Sequence, residues 1–107
     1  MSDVHWFPVR VQPRAESRAL RGLEELKLEA YAPVEVRWSR ARGCKRKVEG
    51  PVFPGYVFVH TDRDHLFLLR TIEGVLGLVE VGGRIGTAPV RFIDFIKRCE
   101  RRRLFDR

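Results

Sequence analysis

The sequence predicts an α+β domain: a mostly antiparallel four-stranded sheet flanked by helices, with a long basic β-hairpin inserted in it. Three observations carry that expectation. Val34, Val36 and Trp38 alternate with Glu35 and Arg37, the period of a half-buried strand. Tyr56-Val57-Phe58-Val59-His60 is dense in aromatic and β-branched residues, which suit a pleated surface. Ala19, Leu20, Leu23, Leu26 and Ala30 recur at three- and four-residue steps and form one helical stripe.

Taken in order, Trp6 to Val11 reads as the first strand. Pro8 argues against a fully paired central strand, because it cannot donate to the ladder. Gln12-Pro13-Arg14 breaks the strand, and Ala15 to Glu29 reads as a helix. Gly22 weakens that helix by about 1 kcal/mol relative to Ala, so its stripe must be buried to hold it. Tyr31 to Ser39 is the next strand, Arg40 to Lys47 a basic loop around Gly43, and Val48 the start of a returning strand. Phe53-Pro54-Gly55 interrupts the chain before the strand Tyr56–His60. Asp62 is placed to cap a second helix running to about Glu73, with Leu66, Leu69 and Ile72 inward and Gly74 beyond its end. Val75 to Val81 reads as a strand stopped by Gly82-Gly83. Pro89 suits the first turn of a third helix with Phe92, Ile93, Ile96 and Cys99 inward. The order β-α-β-β-β-α-β-α, with a hairpin in the middle, is ferredoxin-like in plan.

The 107 residues fit one ordinary domain and leave little room for a second. An apolar fraction of 44% is too high for a disordered tail, and 33% charged residues is too high for a membrane protein. No apolar stretch approaches the ~20 residues that span a bilayer. The amino terminus lacks a basic region followed by an apolar run, so a cytoplasmic setting is expected. The formal charge is +7, and it is unevenly placed. Residues 37–47 hold Arg37, Arg40, Arg42, Lys45, Arg46 and Lys47 without an acid. Residues 97–107 hold six cations against Glu100 and Asp106. Cations crowded this way repel one another and gain by meeting phosphates, while Trp38 can stack on a base. The basic hairpin therefore points to nucleic acid, and residues 101–107 read as a basic tail or linker.

Catalysis is not expected. Asp62-Arg63-Asp64-His65 sets carboxylates beside an imidazole, but at a helix start Asp serves as cap and dipole partner. Ser2, Ser17 and Ser39 sit in no nucleophile-elbow pattern. Cys44 and Cys99 are far apart and neither belongs to a Cys-x-x-Cys pair, so no metal site is expected. Gly82-Gly83-Arg84-Ile85-Gly86 lacks the dinucleotide and Walker patterns and reads as a turn. No cofactor is expected. Phe53, Tyr56 and Phe58 cluster by composition with Trp6 and Phe7. Most of these rings belong to a core, but Pro54-Gly55 can expose Phe53 and Tyr56 at the sheet end as a protein-binding surface.

Several of these residues occur in a known order. Trp6-Phe7-Pro8-Val9-Arg10-Val11, the amphipathic helix, Tyr31-Ala32-Pro33, the basic hairpin, Pro51 to Val59 and Gly74-Val75-Leu76-Gly77-Leu78-Val79 follow one another. The chain thereby resembles the N-terminal domain of NusG-type transcription elongation factors, RfaH-type members included, over residues 5 to 100. The Phe-Pro-Gly-Tyr-x-Phe-Val string, with Gly-Val about twenty residues later, is the specific part. The resemblance implies a domain at residues 1–100, without the small β-barrel that follows it in the family. It implies a monomeric, non-enzymatic elongation or antitermination factor. Its partner would be RNA polymerase, through the clamp helices of the largest subunit. Trp6, Phe53, Pro54, Tyr56 and Phe58 match the polymerase-binding motif. The helix from Leu66 to Ile72 would face the other side of the DNA cleft, so that bridging it suppresses pausing. Arg14, Arg18, Arg40, Arg42, Lys45, Arg46 and Lys47 would lie near upstream or non-template DNA. The alternative is a small basic nucleic-acid-binding module without polymerase contact.

Overall fold

The computed structural model describes residues 3–41 and 43–106. Strand β1 (His5–Val11) is followed by helix α1 (Glu16–Glu25), a short strand β2 (Glu29–Tyr31) and a hairpin of β3 (Val34–Ala41) and β4 (Cys44–Pro51). Next come β5 (Tyr56–Thr61), a 3-10 helix (Arg63–Thr71), β6 (Val75–Leu78), a minimal hairpin of β7 (Glu80–Val81) and β8 (Arg84–Ile85), and helix α2 (Val90–Arg101). The main sheet has the order β2-β5-β1-β6, and every described pairing in it is antiparallel.

Alternation along β1 and β5 divides the interior in two. Val9, Val11, Val57 and Val59 point to one face, where Ala19 and Leu23 of α1 and Leu69 and Ile72 cover them. Trp6 and Phe58 point to the other, where Ile93 and Ile96 of α2 cover them. The sheet thus lies between helices, as the pattern predicts.

Pro8 lies in a central strand after all, and the register explains how. Its carbonyl accepts from Val79 on the β6 side, so its nitrogen faces that side as well. There β6 pairs only from Val9 onward, while Trp6 is bridged to Ala88 further along. The proline occupies the gap between two partners and removes no ladder bond.

The first helix is shorter than its stripe. Lys27 takes φ 60°, the Leu28 N–H donates to the Leu23 carbonyl at 3.0 Å, and the Lys27 N–H donates to Glu24 at 2.9 Å. That is a Schellman stop with lysine where glycine is usual. It frees residues 29–31, expected as helix end and strand start, to pair as edge strand β2 along β5. Helix α2 stops the same way, with Arg103 at φ 56° and the Leu104 N–H donating to the Cys99 carbonyl. Gly22 is required by packing: a Cβ there would lie 2.8 Å from Ile72 Cγ2. Gly22→Ala is therefore expected to destabilise the domain by about 1–2 kcal/mol despite better helix propensity, read as a lower denaturation midpoint.

Three further expectations change. Residues 40–47, expected as a loop, are mostly strand, with only positions 42 and 43 between Ala41 and Cys44. The expected second α-helix is a 3-10 helix. Three residues per turn stacks Leu66, Leu69 and Ile72 in one ridge, and the Asp62 carboxylate caps it by accepting from the His65 N–H at 3.0 Å. The expected strand 75–81 divides at Val79, whose N–H turns to Pro8 while Glu80–Val81 pairs with Arg84–Ile85.

Candidate functional site

The corner Phe53-Pro54-Gly55-Tyr56 is a tight turn. The Tyr56 N–H donates to the Phe53 carbonyl at 3.2 Å, Pro54 follows it in the turn and Gly55 has φ 85°. Proline then glycine with positive φ is the chemistry of a type II turn. The Gly55 N–H donates to Glu16 Oε2 at 3.0 Å, and the Gly55 carbonyl accepts from the Val11 N–H at 2.8 Å. Glu16 is itself buried at the start of α1. The corner is thus held from two elements and projects Pro54 and Tyr56 outward as a fixed edge.

The five rings and prolines singled out from the sequence divide here. Tyr56 is 41% exposed, Pro54 is exposed and Phe53 half-buried. Trp6 is 4% exposed and Phe58 is 7% exposed, so both are core residues. Phe53 meets Phe58 edge to face at 6.1 Å, and Phe58 meets Phe92 at 6.3 Å. Phe58 is therefore the backing on which two more accessible rings rest. Trp6 stacks on His60 at 4.7 Å with the Lys97 ammonium 5.1 Å from its ring. Phe92, expected to point inward, is 40% exposed, and Phe95 one turn on is also exposed. Ile93, Ile96 and Cys99 alone take the inner stripe, a three-residue spacing already visible in the sequence.

The cations also divide. Trp38 pairs with Lys47 and Arg40 with Lys45 across the hairpin, so these four share one face. Trp38 is exposed, with the Lys47 ammonium 5.5 Å from its ring. Arg46 pairs with Ser39 and lies on the reverse face with Arg37. Arg42 lies outside the described residues. Arg14 is exposed in the turn before α1, and Arg18 is ion-paired with Glu73 at 3.0 Å.

The hairpin stands apart from the main sheet, and one acid of α2 and one of the segment after it hold its base. Glu100 accepts from the Tyr31 hydroxyl at 2.8 Å and from the Val34 N–H at 2.5 Å. Asp106 accepts from the Val36 N–H at 2.8 Å. Two outward N–H groups of edge strand β3 are thereby satisfied by carboxylates instead of another strand. Burial first, then the Glu100 hydrogen bond, pushes the Tyr31 phenol above its ordinary pKa. Nothing in the sequence spacing marks Glu100 or Asp106 as the hairpin anchor, since they lie some seventy residues from their partners. Glu100→Ala removes two charge-assisted bonds and is expected to cost about 2 kcal/mol. Amide exchange at Val34 would rise with it.

Among the described residues, no three His, Cys, Asp or Glu side chains gather to hold a metal ion. No helix among them is long and apolar enough to cross a membrane.

Comparison with known proteins follows the same lines. A solved structure described as "Domain interaction in Thermotoga maritima NusG" superposes with a TM-score of 0.58 over 90% of this chain and 56% of that one, at 21% identity. It supports the α+β architecture. A 64-residue stretch, 60% of this chain, is 33% identical to erythronate-4-phosphate dehydrogenase of Pseudomonas putida, but spans only 17% of that enzyme. The model of the family described as "Transcription termination factor nusG" matches residues 4–97. The chain accordingly belongs to the transcription termination factor NusG family, a family of transcription factors rather than of enzymes.

Proposed function

We propose that this domain is a transcription elongation or antitermination factor that docks on the clamp helices of RNA polymerase. Tyr56, Pro54 and the accessible edge of Phe53 form the docking surface, extended by Phe92. The observation that carries the reading is the corner itself. It is held by Glu16 and Val11, so its apolar edge meets a partner without losing loop entropy on binding. The 3-10 helix exposes Phe67 on the opposite face of the sheet, where a second polymerase surface across the DNA cleft would meet it. A ligand that touches both sides of a cleft binds its closed state better and raises the population of that state, which shortens pauses. The Trp38 face of the hairpin would then lie along upstream or non-template DNA. Copurification with RNA polymerase at moderate salt, followed by a pausing assay, tests the reading: capture and shorter pauses support it. Nucleic-acid binding without polymerase capture would favour the narrower role of a basic nucleic-acid-binding module, for which the exposed Trp38 among cations is the specific observation.

A further inference from the structure

The two basic segments are about fifty residues apart in sequence, yet the fold brings them together. Residues 102–106 are not free chain. Phe105 packs against the Trp6–Phe58 core, and Asp106 bonds the backbone of β3 at Val36. The last turn of α2 carries Arg98 and Arg101, followed by Arg102, all exposed. Glu100 lies within that turn and bonds Val34, the first residue of the hairpin. The cations of α2 therefore begin where the hairpin begins, and the hairpin carries its own outward for about 27 Å, at 3.3–3.4 Å per residue over eight residues. The acids at the junction keep their charge, and most of them are engaged in holding the fold. Glu100 accepts from the Tyr31 hydroxyl and the Val34 N–H, Asp106 accepts from the Val36 N–H, and Glu35 is buried 4.0 Å from Arg37. Glu49, opposite Val36 on the Trp38 face, and Asp94, beside Arg98 and Arg101 on α2, are the exposed exceptions.

We propose that the hairpin and the carboxy-terminal turn of α2 form one continuous track for single-stranded nucleic acid. Arg98, Arg101 and Arg102 form its inner end, Trp38 and Lys47 its middle, and Arg40 and Lys45 its outer end. Like charges directly opposed across a two-stranded ribbon, as Arg40 and Lys45 are, destabilise it unless an anion lies between them. A large exposed ring flanked by cations favours an unpaired strand, whose bases can stack, over a duplex, whose bases cannot. The inference rests on the nucleic-acid part of the proposed function and is independent of polymerase docking.

The test uses the protein alone with fluorescein-labelled dT20, read by anisotropy across a salt series. One track predicts one oligonucleotide per protein. The Arg98→Gln/Arg101→Gln/Arg102→Gln variant should flatten the plot of log K against log salt by about 2, at ~0.7 per contact with a single strand. Arg40→Gln/Lys45→Gln/Lys47→Gln should flatten it by a similar amount. Trp38→Ala should weaken binding roughly ten-fold and leave the slope unchanged. Arg46→Gln, on the reverse face, should change affinity least, and circular dichroism melts check that each variant is folded. Two oligonucleotides per protein, or a slope unchanged by the α2 substitutions, overturns the single track while leaving the hairpin as a site. A 20-base-pair duplex that binds as tightly as dT20 overturns the assignment to a single strand. No binding at all overturns the track and the nucleic-acid part of the proposed function, and polymerase capture is then judged separately.

Discussion

Replacing Tyr56 by alanine is expected to weaken capture of RNA polymerase by at least about thirty-fold, the loss typical of a central interface hot spot. The domain should remain folded. Tyr56 is 41% exposed and opposes Arg10 across the sheet, so truncation opens no buried cavity. Its backbone N–H, which closes the corner on Phe53, is untouched. A surface change of this kind shifts stability by less than about 1 kcal/mol. Tyr56→Phe separates the ring from the hydroxyl: retained capture assigns the effect to apolar contact, and loss assigns it to the hydroxyl as well. Unchanged capture by folded Tyr56→Ala protein would remove the corner from the interface. The proposed function would then lose the observation that carries it, and the narrower role of a nucleic-acid-binding module would be favoured.

The corner was legible in the sequence because proline, glycine and aromatic residues at fixed offsets permit few backbone solutions. The sheet was legible in part: the aromatic and β-branched run Tyr56–His60 lies at its centre as β5, whereas the clearest period-two alternation, Val34, Val36 and Trp38 against Glu35 and Arg37, belongs to the separate hairpin. Three features escaped, each through interactions that no local pattern records. The end of α1 is set by Lys27, which accepts a left-handed conformation that an unbroken apolar stripe conceals. Arg40, Lys45, Arg46 and Lys47 have poor strand composition, and they join a ladder because the flanking chain aligns them in register. The burial of Trp6 and Phe58 follows from the placement of α2 over that face, which the composition of β1 and β5 cannot reveal. An aromatic motif therefore mixes exposed residues with buried ones that hold the exposed ones in place. Only geometry separates the two groups.

Phe58 tests that separation. Phe58→Ala is expected to cost about 3–5 kcal/mol, since the ring is 7% exposed and packs among Trp6, Ile93 and Ile96. Domains of this size are stable by about 5–15 kcal/mol in total, so a large part of the reserve would go. At roughly 4–8 °C per kcal/mol for about 100 residues, the melting midpoint would fall by more than 10 °C. Polymerase capture would fall too, and that loss alone cannot tell a contact residue from a backing one. Phe58→Leu does so. It restores most of the buried volume at a cost below about 1.5 kcal/mol, and it removes the aromatic edge contacts with Phe53 and Phe92. If Phe58 acts only as backing, capture by Phe58→Leu returns to within a few-fold of the parent protein while Tyr56→Ala stays inactive. If capture by the leucine variant stays lost in a protein whose melting midpoint has recovered, the ring itself touches the polymerase. The α2 helix that now covers it would then have to move when the partner binds.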